Sequence, residues 1–387
     1  MDFHLDTLLN LPNITVFTCR HKLDCIILQL ELLNEGIICP HCQEDTDDIN
    51  QNRPILVRDL SIFGQAVYLQ VPRRQFYCSG CQKYSTEQLC WMEMGRKYTQ
   101  RYEEYIYEKV KELTVEQVSR TEQISAAQVE RIFHRISRRK KKDWGNPERL
   151  SLDEFSRCKG QRKFATVVSD VDRGCLLEVV DSHQSEEIIA VLKQQPLEVR
   201  EQVKEVSVDM WGGFKRVITE VFPNAVIVID RFHVMKLVNQ SLNKIRLLLG
   251  LRGLKNRSLL LKNGKDLSQE EQVELENILS QSVVLSIAYE LKEEFREIYE
   301  TSTTVAQGLQ KMKKWLGYAQ ILFGETSETI RCHLKDICNY FISRTTSGVM
   351  EGINNKIKLI LRQGYGFSNF EHLREKLLAC LFDYKNS

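Results

Sequence analysis

Three acidic residues and four cysteines carry the spacing from which chemistry can be read. Asp153 lies within the apolar run RLSLDEF, Asp209 closes VKEVSVD, and Glu351 sits in SGVMEGINNKIK. Carboxylates on neighbouring strands and one late helix can hold two divalent cations about 3.5–4 Å apart, an arrangement that activates an attacking oxygen and stabilises a leaving one in phosphoryl transfer. Hard oxygen ligands suit magnesium or manganese. The cysteines form two knuckles, CPHC (Cys39, Cys42) and CSGC (Cys78, Cys81). A CxxC puts two sulfurs on one tight turn, and two such turns close a tetrahedron around zinc. Two unrelated pairs of buried thiols are the competing reading. Cys19, Cys25 and Cys90 lack such spacing and are expected to be core or surface thiols.

Other residues surround these. Asp230 closes a second apolar run, AVIVID, and His233 follows in DRFH. Both are expected to be accessory, orienting a neighbouring group; an ordinary helix cap with a packed histidine behind it is the alternative. The reverse assignment, Asp230 catalytic and Asp209 a cap, also stays open. Arg344, Glu351 and Lys358 recur every seven residues, with Arg362 four beyond Lys358; Arg344 stands either at the head of that helix or just ahead of it. A carboxylate flanked by cations suits a site holding metal and phosphodiester together, although a salt-bridged surface stripe has the same spacing.

The positioning elements follow from periodicity. Residues 13–32 read as two strands around a turn, and 53–77 as β-hairpin material. Residues 97–137 read as helices, with Ser125 a candidate N-cap for the last of them. In that helix Val129, Ile132, Phe133 and Ile136 form an apolar face, leaving Gln128, Arg131 and Arg135 on another. This fits a helix-turn-helix whose second helix enters the major groove, with Arg138, Arg139 and Lys140 of the RRKKK run reaching phosphates; a three-helix packing unit is the plainer alternative. From residue 150 the order is β-β-β-α-β-α-β, that of an RNase H-like mixed sheet, in which the fourth strand runs beside the first. Residues 234–345 lose the strand pattern and read as an all-α insertion; two helices with a break at 363–367 close the chain.

The expected organisation is thus α/β and multidomain. A zinc-binding β-rich module spans 1–93, a helix-turn-helix domain 94–145, and an RNase H-like domain 146–387 with its insertion at about 240–340. Net charge is +2, but residues 1–50 carry two basic against nine acidic residues, and residues 51–150 carry nineteen against twelve. The basic second segment suits phosphate contacts. Twelve cysteines without an export signal point to reduced thiols and a cytoplasmic protein, nucleoid-associated when on DNA. No run of 18 apolar residues predicts a membrane span.

In the motifs CPHC…VRDL…RRQFYCSGC, LDEFSRCKGQRKFATVVSD, SVDMWGGFKRVITEVFPNAVIVIDRFHV and GVMEGINNKIKLILRQGYGF, the chain resembles bacterial insertion-sequence DDE transposases of the ISL-three group. The resemblance covers nearly the whole chain in family order. It implies zinc on Cys39, Cys42, Cys78 and Cys81, and an acidic triad of Asp153, Asp209 and Glu351. It also implies double-stranded DNA as partner, both terminal inverted repeats and target, with a homo-oligomer pairing two ends. The expected activity is metal-dependent strand cleavage and strand transfer. The alternative is a former transposase kept as a sequence-specific DNA-binding regulator.

Overall fold

The computed structural model describes residues 3–140, 142–156, 164–345, 348–364, 367 and 369–382. Lys141 of the basic run, and residues 365 and 366 within the expected break, lie outside that set. The chain divides into two compact units, 1–141 and 142–387.

In the first unit, β1 (Ile14–His21) and β2 (Cys25–Leu32) form the expected N-terminal hairpin, and β3 (Ile55–Ile62) and β4 (Gln65–Val71) form a second. Burial alternates residue by residue along β2, with Ile26, Leu28 and Leu30 inward, the signature of a strand with one covered face. The two hairpins join through β2 and β4, which pair in parallel, giving the order β1-β2-β4-β3. The long stretch between the two cysteine knuckles therefore builds a sheet with the N-terminal hairpin. The knuckles are served by two smaller sheets: the first knuckle lies between the paired strands Ile37–Ile38 and Asp45–Thr46, and the second on a sheet of Ile49–Asn52, Arg74–Cys78 and Lys83–Thr86.

Three helices follow in the same unit: α1 (Gln100–Glu112), α2 (Val115–Glu122) and α3 (Ala126–Arg139). They are fastened to β3 at its midpoint. The Arg58 amide donates to the Lys97 carbonyl, and the Thr99 amide donates to the Arg58 carbonyl. Beside them Asp59, 1% exposed, accepts from Thr99 Oγ1 at 2.7 Å and Arg101 Nε at 2.8 Å. Thr99 is also the N-cap of α1. One buried carboxylate thus ties sheet, helix start and a guanidinium together.

The second unit is built on a five-stranded sheet. Its strands are β5 (Arg149–Ser156), β6 (Phe164–Asp170), β7 (Cys175–Val180), β8 (Glu205–Val208) and β9 (Val226–Ile229). The order is β7-β6-β5-β8-β9. The first three meander antiparallel, and β8 and β9 add in parallel, each behind a helical crossover: α4 (Ser185–Leu192), with a short turn at Leu197–Glu201, and α5 (Gly212–Val221). Every residue of β7 and β8 is buried, as a sheet covered on both faces requires. This is the mixed RNase H-like sheet expected.

After β9 the chain enters α6 (Arg231–Leu248) and a helical insertion that includes Leu254–Leu261, Gln269–Leu279, Val283–Thr301, Val305–Ala319 and Gly324–Cys332. It has its own polar fastening: fully buried Lys292 donates to the carbonyls of Leu260 and Lys262. The chain returns to the sheet with α7 (Gly348–Gln363) and α8 (Phe370–Leu381). None of the described helices is long and apolar enough to cross a membrane.

Asp59→Ala leaves the Thr99 hydroxyl and one face of Arg101 without their acceptor. Breaking a buried pair from one side costs about 3 kcal/mol. Urea unfolding of the full chain is expected to show a loss of that order for the transition of the first unit; a loss under about 1 kcal/mol would assign the fastening elsewhere.

Candidate functional site

The strand pairing sets the geometry of the acidic edge. β5 and β8 run parallel with Ser151 opposite Ser207. Carried two residues on, Asp153 is level with Asp209, which immediately follows β8. In-register residues of adjacent parallel strands share a face about 4.8 Å apart. Both aspartates are half-buried. Asp209 Oδ1 accepts the Trp211 amide at 2.8 Å, just before α5. The Trp211 ring folds back edge-on to Phe214, with centroids 4.8 Å apart. That fold needs Gly213, where a Cβ would come within 2.1 Å of the indole.

The next strand repeats the pattern. The Asp230 amide donates to the Val208 carbonyl at 2.8 Å, and its side chain accepts the Phe232 amide as N-cap of α6. Asp230 is thus a helix cap one strand further out. Half-buried His233 sets its ring against Phe232, centroids 5.4 Å apart.

The third acid, Glu351, stands 142 residues beyond Asp209 and is brought back by two ties. Buried Glu205 on β8 accepts the hydroxyls of Ser343 and Thr345, and Asn339 Nδ2 donates to the Ile227 carbonyl on β9 at 2.8 Å. These hold the returning chain just ahead of α7. Within α7, Met350, Ile353, Ile357 and Ile360 face inward, while Glu351, Lys358 and Arg362 are exposed. Asn354, one turn after Glu351, donates Nδ2 to Asp153 Oδ2 at 2.7 Å. Arg344 does not continue the stripe. It precedes α7 in a left-handed conformation (φ 53°), and its guanidinium donates to the Ser302 carbonyl.

Two residues of this edge escaped the sequence reading. Asn354 is one, and the motif EGINN carried its only signal. Glu154 is the other. Burial pushes its carboxyl up from the ordinary range; the charge of Asp209 adds to this, His183 opposes it, and Asp153 adds again. Asp153, Asp209 and Glu351 do not all lie within 4.8 Å of one another. Among the described residues only the four cysteines form a group that close.

The thiol site is tightly drawn. Cys39 Sγ lies 3.6 Å from Cys81 Sγ, and Cys42 Sγ 3.4 Å from Cys78 Sγ. Sulfurs 2.3 Å from a central zinc in a tetrahedron stand about 3.8 Å apart, so the donor set fits that ion. Each knuckle closes identically. Gln43 and Gln82 take left-handed φ of 65° and 57°, and their amides donate to the Cys39 and Cys78 carbonyls. The amides of His41 and Cys42 draw the Cys39 thiol down to about 6. For Cys42 the Glu44 amide pulls down, but neighbouring Cys78, burial and Cys39 outweigh it and push the thiol up to about 12. Burial and Cys39 also raise Cys81. One thiolate suppresses the next, and a dication relieves that repulsion.

The helix-turn-helix is capped at both helices. Thr114 with Gln117 and Ser125 with Gln128 form reciprocal capping boxes, and Gln123 turns the chain in a left-handed conformation. This corrects the expected DNA-facing set. Gln128 Oε1 is spent on the Ser125 amide and hydroxyl. Arg135 turns inward to Glu93 and to Glu103, which is 1% exposed. The exposed residues of α3 are Ala127, Arg131, Arg138 and Arg139. Arg139 pairs with Glu93 at 2.6 Å, and Lys140 pairs with Glu104 and Glu108 while lying 4.2 Å from the centre of the Tyr107 ring. Sequence periodicity separated polar from apolar faces but not the two polar stripes, because buried Glu103 lies on a different helix. Beside the turn opens a cleft of about 700 Å³, lined in part by Arg58, Arg73, Lys97, Tyr98 and Gln128.

A zinc ribbon and a helix-turn-helix ahead of an RNase H-like sheet are the parts of a DDE transposase. Comparison with known proteins agrees. The ISL3 DDE transposase model matches residues 150–377. The zinc finger of transposases IS204/IS1001/IS1096/IS1165 matches 35–81, and the helix-turn-helix domain of transposase family ISL3 matches 87–137. The transposase for insertion sequence element IS1001 of Bordetella parapertussis is 27% identical over 360 residues, 89% of this chain and 88% of its own. That for IS1557 of Mycobacterium tuberculosis is 27% identical over 259 residues, 58% of each chain. The chain belongs to the ISL3 family of transposases.

Two predictions follow from these sites. Zinc binding must deprotonate at least Cys42 and Cys81, so loading at neutral pH is expected to release protons into weak buffer, and affinity is expected to rise with pH; loading without proton release would contradict the shared-proton thiol set. Arg131→Ala is expected to weaken binding to the element's end DNA by about tenfold at unchanged melting temperature. Arg135→Ala, by contrast, is expected to lower stability by leaving buried Glu103 with Arg96 as its one guanidinium partner, and equal effects of the two on DNA binding alone would restore Arg135 to the DNA face.

Proposed function

We infer that this transposase binds the terminal inverted repeats of its insertion sequence, nicks the DNA at each end and joins the freed 3′ hydroxyl to target DNA. The observation that carries this reading is the parallel register of β5 and β8, which levels Asp153 with Asp209, together with the Asn354–Asp153 hydrogen bond one helical turn from Glu351. Asp153, Asp209 and Glu351 are the acidic triad in this reading. Their oxygens suit magnesium or manganese. Such ions, when bound, supply Lewis-acid activation of the attacking oxygen and charge neutralisation at the leaving one. Asp209 is oriented by the Trp211 amide, and Asp153 by Asn354 and the Glu154 amide. Lys358, two turns after Glu351 and exposed, is set to meet a phosphodiester.

Asp230 and His233 hold the start of α6 and so keep β9 level with β8; their role is positioning. Arg344 secures the approach to α7 through the Ser302 carbonyl. The zinc on Cys39, Cys42, Cys78 and Cys81 rigidifies the first unit, and Arg131 and Arg138 face DNA. Two ends must be cut and joined together, so a homodimer or larger assembly on DNA belongs to this reading.

The test uses a duplex carrying the element's own end, with magnesium or manganese. Asp209→Asn is expected to bind that end normally and to lose at least about a thousandfold in nicking. Asp230→Asn is expected to lose far less. A dead Asp230→Asn beside an active Asp209→Asn would overturn the strand assignment. A wild type that binds the ends and cuts nothing would instead mark a DNA-binding regulator.

A further inference from the structure

The side chain of Asn354 does more than the Asp153 hydrogen bond requires. A carboxylate only accepts, so the Asn354 atom facing Asp153 Oδ2 at 2.7 Å must be the amino group. That settles the amide orientation and identifies Oδ1 as the remaining polar atom of the group. Oδ1 is buried, and no donor among the described residues reaches it. A buried amide oxygen without a partner is uncommon and calls for an explanation, such as a water or an ion. Asp153 keeps spare capacity as well: each of its oxygens accepts one bond, Oδ1 from the Glu154 amide and Oδ2 from Asn354, and a carboxylate oxygen carries two acceptor sites.

The surroundings decide between a water and a cation. Asn354 follows Glu351 by three residues, so both project from the same side of α7. Asp153 is level with Asp209 through the β5–β8 register. An amide carbonyl is a hard, neutral oxygen donor of the kind that joins carboxylates around magnesium, manganese or calcium. It adds a ligand without adding another repelling charge.

The geometry points to Asn354 as a direct ligand, through Oδ1, of a divalent cation held with Asp153 and Glu351. In the same step its amino group fixes Asp153. This rests on the reading of Asp153, Asp209 and Glu351 as the metal-holding triad and adds a fourth, neutral donor to it. Asn354 thereby couples α7 to β5: the helix that carries Glu351 cannot slide without breaking the Asp153 orientation.

The test is manganese binding by the zinc-loaded full chain, followed by loss of the free Mn²⁺ electron paramagnetic resonance signal, with no DNA and no turnover. Asn354→Ala is expected to weaken Mn²⁺ binding at least about tenfold. Asn354→Asp keeps an oxygen at the ligand position but cannot donate to Asp153; it is expected to stay within a few-fold of wild type. Binding by Asn354→Ala equal to wild type, while Asp153→Asn and Glu351→Gln bind weakly, overturns the assignment and leaves the triad standing. Asn354→Asp as weak as Asn354→Ala overturns ligation and reduces the residue to a hydrogen-bonding brace. Failure of wild type to bind Mn²⁺, or full binding by Asp153→Asn and Glu351→Gln, overturns the triad reading and this inference with it. Should Asn354→Ala not fold, as judged by circular dichroism, Asn354→Leu, close in volume and without an oxygen, provides the same comparison.

Discussion

The parallel pairing of β5 with β8 is the constraint on which the second unit depends. Parallel strands cannot be joined by a tight turn. The chain must leave the meander, cross over as α4, and re-enter beside its own first strand. The register that results, Ser151 opposite Ser207, levels two aspartates 56 residues apart in sequence. A slip of one residue would send one carboxylate to the opposite face. The burial of every residue of β8 penalises such a slip, because it would exchange Val206 and Val208 with Glu205 and Ser207 between the two covered faces.

Everything after β9 serves to bring α7 back to that edge. The insertion is a long excursion, and loop entropy alone would leave its return poorly specified. Its own helices, closed around Lys292 and a buried Trp315 whose indole donates to the Leu291 carbonyl, make the excursion rigid. Glu205 then takes the Ser343 and Thr345 hydroxyls, and Asn339 takes the Ile227 carbonyl. The carboxylate that anchors this return stands on β8 itself, four residues before Asp209. The strand that presents one acid thus also fastens the segment that delivers another.

The first unit solves a different problem. Its sheet is small, and a small core needs additional fastenings. The four thiols cross-link the knuckles, and Asp59 ties β3 to the start of α1. Arg135 and Arg96 meet at Glu103, joining α3 and the segment before α1 to α1 itself. Charges that look like a DNA-binding surface in the sequence are therefore partly structural, and the outward stripe of α3 is narrower than its composition suggests.

What was legible in the sequence is what local spacing encodes. The CxxC knuckles, the Ser125 cap, the β-β-β-α-β-α-β order and the helical insertion each depend on residues within a few positions of one another, and turn, cap and periodicity rules act at that range. The parallel join of β2 to β4, the inward turn of Arg135, the bond of the Asp230 amide to the Val208 carbonyl, the bond of the Arg344 guanidinium to the Ser302 carbonyl and the contact of Asn354 with Asp153 were decided only by tertiary structure. Each depends on a partner distant in sequence: a buried acid on another helix, a carbonyl across the sheet, a carboxylate 201 positions away. Periodicity can say that a side chain faces away from its own core. It holds no record of which distant charge or donor will face it, and that pairing separates a structural ion pair from a residue left to meet DNA or metal.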